Sequence, residues 1–160
     1  MAKIKQKIKT FLWYDHEAEE AANYYVSVFP DSKIISISHY NSAVPGKKGS
    51  VMVCKFELAG QEFLALNGDP QEKFNDSISL LVECETQAEI DELWSRLTAG
   101  GSERPCGWLT DKFGLSWQIA PSRLLELVQD PDDTKASRAM QAMFSMKKII
   151  IADVERAVQA

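Results

Sequence analysis

One hundred and sixty residues, 45% hydrophobic and 26% charged, suffice for a globular domain that buries roughly 70% of its unfolded surface and exclude a disordered tail or a fibre. The apolar runs are far shorter than the roughly 18 to 20 residues a bilayer crossing requires, so no membrane span is expected. A net charge of −5 offers no general attraction to phosphate backbones or anionic lipid, which argues against nucleic acid and membranes as partners.

Taken in chain order, the first nine residues alternate Lys3, Lys5, Lys7 and Lys9 with Ile4 and Ile8. They lack the uninterrupted apolar core of a secretory signal, so a cytoplasmic protein is expected. In a strand the four lysines share one face, which suits a solvated edge that resists aggregation better than a phosphate-binding arm. Ile8 to Tyr14 is aromatic and apolar and predicts a strand. Asp15 and His16 break it, and from Glu17 to Phe29 the residues Ala18, Ala21, Ala22, Tyr25 and Val28 fall at helical spacing. Pro30 and Asp31 end that helix. Strands are predicted over Lys33 to Tyr40, Ser50 to Leu58 and Gln61 to Asn67, the last two joined at Ala59-Gly60 as a tight hairpin.

After a polar stretch from Asp69 to Asp76 the same order of elements begins again. Ser77 to Cys84 predicts a strand, and Thr86 caps a helix running to about Leu97 whose apolar face is Ile90, Leu93, Trp94 and Leu97. Adding 72 to Ala18, Ala21, Ala22 and Tyr25 gives those four positions. Ala99-Gly100-Gly101 stops the helix. Further strands are predicted near Ser102 to Trp108 and Leu115 to Ala120, with a turn at Lys112-Phe113-Gly114. A β-α-β-β-β unit repeated at about half the chain length predicts two modules. Beyond Pro121 the pattern is helical: Ser122 starts a short helix with Leu124, Leu125 and Val128 on one face, Asp130 to Asp133 interrupt it, Lys135 to Phe144 form another, and Ile149 to Val158 a last one. The stripe of Met140, Met143 and Met146 suits core or dimer packing better than a cofactor site, because the flexible thioether fills irregular gaps.

Cys54, Cys84 and Cys106 are odd in number and show no CxxC spacing, so neither a disulfide framework nor a zinc knuckle is indicated. Cys106 is a candidate reactive thiol, with Arg104 the only nearby cation in sequence; the alternative is a buried, inert thiol. His16 sits at a helix start and His39 on an outer strand, neither with a partner at metal-ligand spacing. Trp13, Trp108 and Trp117, with Phe11, lie in or beside predicted strands, where they can line a flat apolar site or pack the core.

The chain resembles the PhnB-like family, also called the 3-demethylubiquinone 3-methyltransferase domain family, of the vicinal oxygen chelate superfamily. The resemblance rests on AEEAANYY at Ala18 to Tyr25, FPDSKI at Phe29 to Ile34 and SISLLVE at Ser77 to Glu83. It also rests on CGWLTDKFGLSWQIAP at Cys106 to Pro121 and AMFSMKKI at Ala142 to Ile149. It implies an α+β fold of two βαβββ modules forming curved mixed sheets, glyoxalase-like, over residues 3–69 and 76–121, with C-terminal helices over 122–160. It also implies a homodimer. Superfamily enzymes hold a divalent metal in the cup of the sheet, and by approximate register the ligand positions here are Thr10, Asn67, Ser77 and Gln118. None is a histidine or carboxylate, and neutral oxygens bind a transition metal poorly; Gln118 alone suits a ligand role.

The expectation is therefore a protein that binds a small molecule in the cup with no metal site. The ligand residues would be Gln118, Trp108, Trp13, Ser77, Asn67, Thr10 and Cys106, with no catalytic residue assigned and no cofactor. The alternatives are a metal-dependent lyase, isomerase or dioxygenase, and a structural or regulatory dimer without a ligand. With Gln118 turned into the cup, strand alternation sends Trp117 and Ile119 to the helices. Methyl transfer is not expected: no glycine-rich turn follows the first strand, and Gly100-Gly101 follows a helix and precedes a strand, the reverse of a nucleotide cradle.

Overall fold

The computed structural model describes residues 6–160, so Lys3 and Lys5 of the alternating lysines lie outside the described residues. The chain divides into two compact units that meet between Lys73 and Phe74.

In the N-terminal unit the order is β1 (Thr10–Tyr14), α1 (Ala18–Val28), β2 (Lys33–His39), β3 (Val51–Leu58) and β4 (Gln61–Asn67). The strands form one sheet in the order β1-β4-β3-β2, with β1 parallel to β4 and the other neighbours antiparallel. Ala18, Ala21, Ala22, Tyr25 and Val28 are all buried, and α1 lays this face on Phe56, Phe63 and Ala65 of the sheet. Small residues at three of the five positions let the helix approach closely, while Tyr25 stacks on Phe56, ring centroids 6.3 Å apart. The hairpin between β3 and β4 turns through Ala59 (φ 46) and Gly60 (φ 85), both left-handed, as a two-residue hairpin turn requires.

The C-terminal unit repeats the plan: β5 (Leu80–Cys84), α2 (Gln87–Thr98), β6 (Ser102–Glu103), β7 (Trp108–Thr110) and β8 (Ser116–Pro121), in the sheet order β5-β8-β7-β6 with β5 parallel to β8. Thr86 caps α2 by accepting from the Glu89 N–H at 3.2 Å, and Glu89 reaches back to the Glu85 N–H at 2.9 Å. Ile90, Leu93, Trp94 and Leu97 are buried. Two mixed four-stranded sheets, each carrying one helix, make this an α+β fold with the two βαβββ modules that the resemblance implies.

Two strands differ from their sequence expectation. The predicted strand at Ser102 to Trp108 is β6, a single turn of 3-10 helix at Pro105–Gly107, and the start of β7. Cys106 (φ 63) and Gly107 (φ 79) are both left-handed, and their N–H groups donate to Met146 O and Lys147 O, each at 2.8 Å. The backbone thus turns to bond the C-terminal extension rather than a neighbouring strand. The strand expected from Ser77 begins at Leu80. Ahead of it the Ser77 N–H donates to the Asn75 side-chain oxygen at 2.9 Å, an Asx turn that competes with extension.

The chain ends in α3 (Ser122–Leu127), α4 (Asp133–Phe144) and α5 (Ile151–Gln159). These pack Leu124, Leu127, Ala139, Ile149 and Val154 into a separate core, with Met143 and Met146 against it. Met140 is not part of this stripe; with Phe144, one turn on, it faces outward.

Candidate functional site

Strand alternation gives the C-terminal sheet two unlike faces. Trp117 and Ile119 of β8, Leu109 of β7 and Cys84 of β5 are buried on the side that carries α2. The other face carries Leu81, Gln118 and Trp108, which are register partners across β5, β8 and β7 and so stand in one row. Leu81 remains 49% exposed; Gln118 and Trp108 are half-buried. The Gln118 amide donates to Ser79 Oγ at 2.9 Å, which orients it and leaves its carbonyl oxygen as an acceptor.

One residue pair along, Ser116 lies on the same face as Gln118 and donates its hydroxyl to Asp76 at 2.8 Å. The Asp76 carboxylate holds Arg104 through two hydrogen bonds, 2.5 and 2.7 Å, and Arg104 lies over the Trp108 ring, 5.5 Å from its centroid. These two contacts keep the Asp76 carboxyl below its ordinary value, Arg104 first and Ser116 second. The ring of Trp108 is therefore packed by a guanidinium on one side. Nothing local in the sequence signals this cluster, because Asp76, Arg104 and Ser116 come from three separate segments.

The other predicted ligand residues do not join this row. In the N-terminal unit Phe11 (53% exposed) and Trp13 (38%) stand on the face of β1 opposite the buried Leu12 and Tyr14. Thr10 shares the side of Leu12 and Tyr14, toward α1. Asn67 is occupied with α1 itself: its amide oxygen accepts the Ala18 N–H at 2.8 Å and its amide donates to Val51 O at 3.2 Å. Ser77 stands in the turn before β5, exposed. Cys106 is half-buried at the 3-10 turn, and Arg104, the cation nearest to it in sequence, is engaged by Asp76 and Trp108. Burial pushes the other two thiols up, Cys54 to about 11 and Cys84 to about 12. His16 and His39 are exposed.

A cleft of about 400 Å³ opens in the N-terminal unit where β1 and β4 end side by side, lined by Asp15, His16, Glu19, Tyr40, Lys47 and Asp69 among others. The Lys47 ammonium donates to Gly68 O at 3.3 Å and to the Asp69 carboxylate at 3.2 Å, and lies 5.3 Å from the Tyr40 ring centroid. Of the residues singled out in the sequence, Asn67 and His16 line this cleft; the rest of its wall comes from the start of α1, the β2–β3 connection and the segment after β4.

The four residues that the sequence register aligned with the superfamily's metal ligands do not gather around one point. Thr10 and Asn67 face α1, Ser77 stands outside the strand, and Gln118 offers one neutral carbonyl oxygen. Among the described residues, no group of three or more His, Cys, Asp or Glu side chains comes together to hold an ion.

Comparison with known proteins bears on the whole arrangement. The family model described as 3-demethylubiquinone-9 3-methyltransferase matches residues 6–120. A putative 3-demethylubiquinone-9 3-methyltransferase, PhnB protein, from Bacillus cereus is 40% identical, with a TM-score of 0.66 over 73% of this chain and 100% of its own. Protein PA1353 of Pseudomonas aeruginosa is 20% identical, with a TM-score of 0.64 over 73% of this chain and 98% of that one. The fosfomycin resistance protein FosX of Listeria monocytogenes is 18% identical, with a TM-score of 0.54 over 78% of this chain and 97% of that one. The last two likenesses concern the fold. No curated protein matches the sequence.

Proposed function

The chain belongs to the 3-demethylubiquinone-9 3-methyltransferase family, of PhnB-like proteins with the glyoxalase-like fold, and from that premise we propose that it binds a small organic molecule on the open face of its C-terminal sheet, without a metal ion. The observation that carries the reading is the row Leu81, Gln118, Trp108, in which one oriented amide stands between two apolar side chains. Such a row suits a flat apolar ligand with one polar edge: the indole and leucine supply area, and the amide sets orientation.

Methyl transfer, which the family's name suggests, finds little support in the residues. β1 leads into α1 through Asp15-His16-Glu17, with no glycine-rich turn to bring backbone against a nucleotide. A metal-dependent lyase, isomerase or dioxygenase would need a donor set that Thr10, Asn67, Ser77 and Gln118 do not supply.

The test is titration with the neutral fluorophore N-phenylnaphthylamine, followed by its emission. Binding to the wild type is expected to weaken roughly tenfold in both Q118A and W108A, with T10A and S77A unaffected. Affinity equal to that of wild type in both Q118A and W108A overturns the reading, as does a stoichiometric transition metal in the purified protein that Q118A releases.

A further inference from the structure

The strands of the C-terminal sheet carry no lysine or arginine: β5 is LLVEC, β6 SE, β7 WLT and β8 SWQIAP. Glu83, two residues along β5 from Leu81, adds a negative charge to the open face by alternation. Arg104, from the segment between β6 and β7, brings a cation to this face beside Trp108, and it arrives already paired. Asp76 meets its guanidinium with both carboxylate oxygens, the fork geometry that neutralises arginine most completely. The pair is fixed from a third side by the Ser116 hydroxyl, whose residue is only 1% exposed.

The geometry points to Asp76 as the residue that sets the charge class of ligand this face accepts: by cancelling Arg104 beside Trp108, it closes the row Leu81, Gln118, Trp108 to anions, which Glu83 on the same face repels. This rests on the binding reading above and adds to it the class of ligand. An unpaired guanidinium over the indole ring would attract carboxylates, sulfonates and phosphates into the row. An unpaired Asp76 would do the same for ammonium compounds. Held together, the two leave shape and the Gln118 amide to select the ligand, while Trp108 keeps a packed partner on one ring face.

Three fluorophores of similar size separate the possibilities: neutral N-phenylnaphthylamine, anionic anilinonaphthalene sulfonate and cationic thioflavin T. Wild type is expected to bind the neutral and cationic probes better than the anionic one. D76N should gain about tenfold for the anionic probe, and that gain should fade with added salt and vanish in the D76N R104Q double variant. R104Q should show the mirror effect, a gain of similar size for the cationic probe, so the inference remains testable if D76N does not fold. If wild type and variants rank the three probes identically while Q118A still weakens the neutral one, the charge assignment falls and the binding reading stands. If the neutral probe does not bind wild type at all, both fall.

Discussion

Asp111 is a carboxylate only 2% exposed, and it stays buried because three N–H groups converge on it. Phe113 N and Leu115 N donate to one oxygen at 2.8 and 3.1 Å, and the Trp117 indole donates to the other at 2.9 Å. The residue thus closes the β7–β8 turn and anchors the core tryptophan of β8. Replacing it with alanine leaves all three donors without their acceptor, and D111A is expected to lose about 3 kcal/mol in urea unfolding, together with the near-ultraviolet signal of a fixed tryptophan. Asp76 makes the contrasting case of an exposed carboxylate whose partners stabilise its charge. Because its folded pKa lies below the ordinary 3.8, its contribution is present above that value and is lost as pH falls through the depressed one. The drop in urea midpoint between pH 5 and pH 2 should therefore be smaller in D76N than in wild type; an equal drop in both would show that the pair contributes nothing to acid stability.

Helices α1 and α2 show how far periodicity carries at the scale of elements. Each buries the face that its apolar spacing marks, because a side chain every three or four residues lands on one side of a helix whatever lies beyond it. The segment from Ser102 to Trp108 behaves otherwise. Its residues suit a strand, yet Cys106 and Gly107 turn left-handed to bond Met146 and Lys147, residues of the C-terminal extension. Gly107 is required here twice over, by its φ of 79 and because a Cβ would stand 2.7 Å from Ile119 O of β8. G107A is accordingly expected to cost about 2 kcal/mol or more, read as a lowered thermal midpoint, whereas G46A, in open space at a similar φ, should cost less.

For the molecule as a whole, the repeated βαβββ order was readable from the recurrence of one apolar pattern, and both sheets have the same strand order. We expect a homodimer, as the superfamily resemblance implies. Of the methionine stripe, Met143 and Met146 are turned into the helical core, which leaves Met140 (39% exposed) and Phe144 (61%) as the apolar pair on the outer side of α4. Light scattering at micromolar concentration should report a dimer, and M140E F144E should shift it toward monomer; a monomeric wild type removes the expectation. No helix among the described residues is long and apolar enough to cross a membrane.

Features that depend on near neighbours are legible in the chain: two amphipathic helices, the Thr86 cap, the Ala59-Gly60 hairpin, the family motifs and hence the fold. Helical and strand periods and turn chemistry act within a few residues, so they are written where they act. The tertiary structure alone decided which polar groups meet. Asn67 reads as a candidate ligand until α1 comes to rest with its first N–H on the Asn67 amide oxygen, and Arg104 reads as a free cation until Asp76 and Trp108 close on it. A charge or an amide has no preferred partner in a linear chain; its role is set by whichever opposite group folding brings within about 3 Å, where the hydrogen bond is made.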